Sequence, residues 1–208
     1  MSGETVGHHH RFWTTSILEV INPDHQRIAA PLRRLIVSLE SQAPTAVESG
    51  VAVSIKHGLF ETRFDLFTRP EPEIVELRGF CEAALDGALA ALSPNGRKSV
   101  RYEINEAWAH VTRSGGYHDH HSHGDSFWCG IYYVDVGESS IQTHSGINRF
   151  YSPIPGYFDP ASGEKRTSFD LTPVDGKLIL FPGYLFHSAL PYAGNRERFV
   201  VAFNTRLL

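Results

Sequence analysis

The stretch YHDHHSHGDSFWCGIYYV, residues 117–134, sets His118, His120, His121 and His123 in front of an apolar, aromatic run. Imidazole is the commonest metal ligand among side chains. The cluster therefore reads as a metal site, as a leftover purification tag, or as a polar loop rich in histidine. In an extended chain residues i and i+2 point to the same side. His121 and His123 can then converge on one ion, with His118 and His120 forming a second pair on the opposite side. Ligands two apart need a third from elsewhere, and the other histidines of this half are His110, His144 and His187. His187 stands out by context, because it follows DGKLILFPGYLF, which reads as a tight turn, a buried strand and a Pro-Gly break. Arg196 and Arg198 lie beyond it in NRERFVVAFNTRLL. Arg198 heads an apolar strand, and a guanidinium at the mouth of an apolar barrel calls for an anion, since an unpaired buried charge is costly. A carboxylate held in a fork is its natural partner. A surface ion pair with Glu197 is the plainer alternative.

These residues need a scaffold. RFWTTSILEV (11–20) is rich in β-branched and aromatic residues and predicts a first strand. Asn22 as N-cap and Pro23 at the first helical position then predict a helix carrying the stripe Ile28, Leu32, Leu35, Ile36 and Leu39, kinked or begun at Pro31. SQAPTAVESG is a loop, and 51–67 is extended. PEPEIVELRGFCEAALDGALAAL is the best helix in the chain, with acidic residues in its first turn. Ile74, Leu77, Cys81, Leu85, Ala88 and Leu92 line one face of it, and SPNG (93–96) ends it. From residue 99 short strands separated by Gly, Pro and Asp turns follow, at 100–112, 127–136, 147–151, 167–171, 177–181 and 197–205. Many short strands with such punctuation predict an antiparallel sandwich or barrel. Helices first and strands after place the helices on one outer face.

The totals narrow the classes. The 208 residues, 41% of them hydrophobic and 12% aromatic, suffice for one core, and one domain over 1–208 is expected. Residues 11–98 form its support region and 99–208 its β core. A formal charge of −4 and a pI near 6.3 give no basic footprint, so nucleic acid is not an expected partner. Cys81 and Cys129 are far apart and lack CxxC spacing, which argues against a disulfide framework and fits a reducing cytoplasm. The first residues lack the apolar core of a secretory signal, and no stretch reaches the ~18 apolar residues a membrane helix needs. No functional role is assigned to His8, His9 and His10 at the frayed start of the chain. Nothing opposes a homodimer.

Two segments, RSGGYHDHHSHGDSFWCGIYYV (113–134) and LILFPGYLFHSALPYAGNRERFVVAFN (178–204), resemble the Fe(II)/2-oxoglutarate-dependent oxygenases. More narrowly they are similar to a small branch with an RxGxxxxxHxHxxSxxSGVYYV-like stretch and an LLLFPSxLxHxVxP…ERxSxSFN-like ending. A weaker likeness reaches RFWTTSILEV and GLFETRFDLF, so the resemblance covers nearly the whole chain. It implies a mainly β (α+β) double-stranded β-helix, a cupin-like jelly roll, with N-terminal helices packed on one sheet. It implies Fe(II), 2-oxoglutarate and O2 as cofactor and cosubstrates, and hydroxylation of an unactivated C–H bond as the commonest outcome. Position by position, His121 and His187 match the two histidine ligands. Tyr133 falls where related prolyl hydroxylases have a tyrosine on the distal carboxylate of 2-oxoglutarate, and Arg198 where the carboxylate-binding base stands.

Arg198 lies eleven positions beyond His187, a longer offset than usual, and Arg196 at nine is its rival. The superfamily's His-x-Asp is here His121-Ser122-His123, as in much of this branch. Either His123 completes a three-histidine site, or Asp125 completes a shifted His123-Gly124-Asp125 motif. Val200 stands where many relatives have a serine that helps hold the carboxylate.

Two other function classes remain in play. One is a cupin-like three-histidine dioxygenase that does not use 2-oxoglutarate, against which Tyr133 and Arg198 speak. The other is a non-catalytic β-sandwich holding zinc or an anion. No nucleophile elbow and no Gly-rich phosphate loop is present. The expected substrate is a small molecule, an amino acid or a natural-product intermediate, with a peptide residue also fitting. His144, Asn148, Arg149 and Tyr151 of the long segment 137–170 are candidates to meet it, and Trp108, Phe127, Trp128 and Phe186 are candidate walls.

Overall fold

A computed structural model describes residues 14–43, 56–93, 100–159 and 162–208. His8–His10, the start of the first predicted strand and most of the two predicted loops lie outside them. In chain order the elements are β1 (Leu18–Ile21), α1 (His25–Gln42), β2 (Lys56–Glu61), a 3₁₀ turn (Leu66–Thr68) and α2 (Pro72–Leu92). Then follow β3 (Tyr102–His121), β4 (Trp128–Asp135), β5 (Asn148–Tyr151), β6 (Ser168–Leu171), β7 (Lys177–Pro182), β8 (His187–Ala189) and β9 (Arg198–Leu207). The strands form one sheet in the order β1-β7-β4-β9-β3-β8-β5-β6, with β2 also on β3, and every named pairing is antiparallel. This is the mainly β jelly roll with helical support that the sequence predicts.

Strand alternation sorts the side chains into two cores. Ala107, Ala109 and Val111 of β3, Tyr132 and Val134 of β4, Leu178 and Leu180 of β7, and Phe199, Val201 and Phe203 of β9 cluster with the helical stripes. Those stripes are Ile28, Leu32 and Ile36 of α1, and Ile74, Leu77, Cys81, Leu85 and Ala88 of α2. Each Val, Leu, Ile and Phe side chain among them contributes about 1.5–3 kcal/mol by leaving water. The intervening residues Cys129, Ile131, Tyr133, Ile179, Phe181 and Val200 pack with Phe150 and Leu185 inside the roll. The same parity turns Arg198, Trp108, His110 and Thr112 inward.

Several local expectations are corrected. Helix α1 begins at His25 after Asp24, so Asn22 is not its N-cap. Asn22 instead accepts the Asp24 amide through Oδ1 (2.9 Å) and donates Nδ2 to the Tyr132 hydroxyl (3.2 Å). Pro31 sits inside α1, which runs on without a break. Leu92 is exposed, while the other five residues of the α2 stripe are buried. The largest difference is β3, which runs through the predicted polar loop to His121. There β2 supplies a neighbour, and Gly116 lets the strands close, since a Cβ at that position would meet the Gly58 carbonyl oxygen at 2.6 Å. Both cysteines are free and buried. Among the described residues no helix is long and apolar enough to cross a membrane.

Candidate metal and carboxylate site

Antiparallel pairing puts His121 at the end of β3 directly across from His187 at the start of β8. His123 lies two residues past β3, in a short connection tied to the β7–β8 turn. The His123 amide donates to the Gly183 carbonyl (2.9 Å) and the Ser126 amide to the His123 carbonyl (2.7 Å). Gly183 is obligatory there, because a Cβ on it would meet the Ser126 carbonyl oxygen at 2.1 Å. The three rings converge, with centroids 4.4 Å apart for His121–His187, 5.2 Å for His121–His123 and 5.3 Å for His123–His187. One ligand atom from each lies within 4.8 Å of the others.

Protonation suits ligation. Burial, and then the neighbouring imidazoles, push His187 well below the usual histidine range, and burial leads the lowering of His121. His123 is lowered to about 4, again chiefly by burial. The Nδ1 of His121 lies 2.6 Å from the Asp119 carbonyl oxygen and that of His187 3.1 Å from the Leu185 carbonyl oxygen. Each Nδ1–H therefore donates to a carbonyl, leaving the Nε2 lone pair free, as metal-binding histidines require. The Nδ1 of His123 faces Asn204 Nδ2 at 3.4 Å instead. Asp125 is exposed and stands outside the group.

The far end of the same cavity holds Arg198, which is 3% exposed. Its Nη2 donates to Asn148 Oδ1 at 3.3 Å, its guanidinium lies 5.3 Å from the Tyr133 ring centre, and its Nε is buried with no partner. No carboxylate pairs with it among the described residues, and burial depresses its pKa. Tyr133 is fully buried, its pKa pushed up to about 12 chiefly by burial, and its hydroxyl donates to Asn148 Oδ1 at 2.6 Å. Arg196 points to solvent and donates to Asp135 at 2.9 Å, so it is not the cavity's arginine. Val200 is buried beside Arg198 and offers no hydroxyl.

Other predicted residues distribute differently. Trp108 lines the cavity, its ring 6.1 Å from that of His123. Trp128 and Phe127 belong to the helix-facing core, and Phe186 stacks on His120 near the surface. Asn148, a candidate to meet the substrate, begins β5 and is buried beside Arg198 in the cavity lining. Arg149 grips Asp170 with two 2.7 Å bonds and His144 joins that pair at 3.0 Å, so neither enters the cavity. Tyr151 meets Ser188 and the edge of His120. A register shift between His118 and His121 breaks the alternation. His118 therefore lies beside His121 (5.5 Å) and His110 (4.7 Å), on the side assigned from sequence to His121, whereas His120 turns away. Glu61 completes a second cluster with His110 and His118 that the sequence did not signal, because β2 is drawn to β3 only by the fold.

A family model described as "Putative 2OG-Fe(II) oxygenase" matches residues 106–204, the span that carries both histidine groups of the cavity and Arg198. A prolyl-4-hydroxylase of Pseudomonas putida superposes with a TM-score of 0.61 at 17% identity, covering 93% of this chain and 94% of that one. A prolyl hydroxylase of Trichoplax adhaerens, solved with a hypoxia inducible factor degradation-domain peptide, gives 0.62 at 13% identity over 91% of this chain and 83% of that one. HygX of Streptomyces hygroscopicus, solved with nickel, 2-oxoglutarate and hygromycin B, gives 0.58 at 14% identity over 93% and 83%. A search of curated proteins returned no match. Residues 106–204 thus match the 2OG-Fe(II) oxygenase family in sequence, and nearly the whole chain shares the fold of the oxygenases just named.

Proposed function

We propose that the protein is a non-haem iron(II) dioxygenase, one domain over 1–208, that uses 2-oxoglutarate to hydroxylate an unactivated C–H bond of a small molecule. The observation that carries this reading is Arg198, a buried guanidinium without a carboxylate, at the end of a cavity whose mouth holds three neutral imidazoles. The residues fit the two missing groups. His121, His123 and His187 offer an all-nitrogen set suited to iron, and Arg198 with Tyr133 and Asn148 offers donors for a distal carboxylate.

Iron(II), when bound, supplies the centre at which O2 oxidises 2-oxoglutarate to succinate and CO2 and the substrate is oxidised. The chain's own part is positional. His121 and His187 keep Nε2 free because their Nδ1 protons are spent on backbone carbonyls. Arg198 fixes one end of the keto-diacid, so the 2-oxo acid end faces the imidazoles. Asn148 Oδ1 accepts from both Arg198 and Tyr133 and so sets the angle of that clamp. Trp108, Phe181 and Val200 keep the wall between the two ends dry.

A succinate-release screen over amino acids and metabolites, with iron and ascorbate supplied, tests the reading. Succinate formed in step with one substrate, and abolished by His187→Ala, is expected. Substrate oxidation without 2-oxoglutarate would instead select a three-histidine dioxygenase of the cupin type.

A further inference from the structure

Beside the proposed iron site the cavity wall carries a second set of converging donors. Glu61 at the end of β2 is paired in register with His110 of β3, and Lys56 at the other end of β2 with His118. Glu61, His110 and His118 each present one ligand atom within 4.8 Å of the other two. Two ligands at ~2.1 Å from a transition ion and 90° apart are about 3 Å from each other, so this set has only to draw in slightly.

Two further observations point to a cation there. The Nε2 atom of His118 is buried and has no hydrogen-bond partner. The Nε2 atom of His110 lies 2.7 Å from Glu61 Oε2 and 2.9 Å from the indole Nε1 of Trp108. One ring nitrogen cannot donate to the carboxylate and accept from the indole N–H. With the indole proton directed at Nε2 no proton lies between Nε2 and Glu61 Oε2, and a cation bridging those two atoms takes that place, at the expense of the indole bond.

We propose that Glu61, His110 and His118 form a second transition-metal site, a two-histidine, one-carboxylate set on the wall shared with His121. Lys56 stays on the other oxygen of Glu61, to which it already donates, so the carboxylate binds through Oε2 alone. Lys56, Arg198 and an ion at the first site all repel a second cation, so this site is the weaker of the two. The donor set suits Zn(II) or Co(II) over Mg(II) or Ca(II).

The test is equilibrium dialysis of the full chain against Co(II) alone, with metal analysis and the visible spectrum of the bound ion. Two equivalents are expected in the wild type, the second binding more weakly. Glu61→Gln and His118→Asn should each keep one equivalent, with the melting curve of each variant confirming its fold. His187→Ala should keep one of a different spectrum, and Glu61→Gln with His187→Ala none. A single equivalent in the wild type, abolished by His187→Ala, would overturn the proposal. So would a second equivalent that survives both Glu61→Gln and His118→Asn, for that ion would sit elsewhere, as on His8–His10. Loss of the tighter equivalent in His187→Ala tests the iron site and loss of the weaker one in Glu61→Gln tests the second, so either site can fail without the other.

Discussion

Arg198 is where stability and function oppose each other most plainly. A guanidinium shut away from water, with one 3.3 Å bond to an amide oxygen and its Nε unpaired, is a burden on the empty protein. Deleting the charge while filling the space, as in Arg198→Met, is expected to leave the Tm of the cofactor-free protein unchanged or raise it. The same change should weaken 2-oxoglutarate binding by about 30-fold or more, the usual effect of losing one partner of a buried charge pair. Differential scanning calorimetry and a 2-oxoglutarate titration check the two halves. A large fall in Tm would mean that the arginine is held by interactions other than those described. The sequence disclosed Arg198 through its place before an apolar strand. It left Arg196 as a rival, and the fold decides between them because β9 begins at Arg198, while Arg196 lies before the strand and pairs with Asp135. Asn148 was named only as a candidate to meet the substrate, and its bonds to Arg198 and Tyr133 come to light only once β4, β5 and β9 are in place.

At the level of elements, the connection carrying His123 depends on how closely it approaches Gly183. A side chain there meets the Ser126 carbonyl, so Gly183→Ala should displace residues 123–126. Metal affinity is expected to fall at least tenfold, while the Tm falls by only a few degrees. Isothermal titration and a melt together check this, and an unchanged affinity would place His123 outside the ligand set. Helix α1 offers a pH test far from the site. His25 is buried at its start, with Nδ1 2.8 Å from the Tyr132 hydroxyl, and burial lowers its pKa. The unfolded chain therefore binds a proton that the folded state resists. This contribution is complete above about 6.5, the usual histidine value, and is lost as pH falls below it. His25→Gln is expected to flatten the decline of Tm between pH 6.5 and 5. A decline as steep as in the wild type would assign it to other groups. The helices and most strands were legible from periodicity and turn residues. The extension of β3 through the histidine-rich segment was not, because glycine and charged residues there spell a loop until β2 and β8 satisfy their backbone groups.

For the whole molecule, the two ends of the cavity come from four neighbouring strands in the middle of the sheet order, β4-β9-β3-β8. β3 and β8 supply the imidazoles, while β9 supplies Arg198 and β4 supplies Tyr133. A ligand that touches both ends ties these strands together and should stabilise the fold as a unit. With iron(II) present and O2 excluded, 2-oxoglutarate at 100 times its Kd is expected to add about 2.7 kcal/mol of stability. Thermal melts across a concentration series check this, and a Tm independent of 2-oxoglutarate would argue against a shared cavity.

The most direct measurement of the central claim is an anaerobic titration of the iron(II) protein with 2-oxoglutarate, followed by its visible metal-to-ligand charge-transfer absorption. A saturable band is expected in the wild type, together with its absence in His187→Ala and a titration moved to much higher 2-oxoglutarate in Arg198→Ala. No band in the wild type, or a band insensitive to both substitutions, would contradict the account.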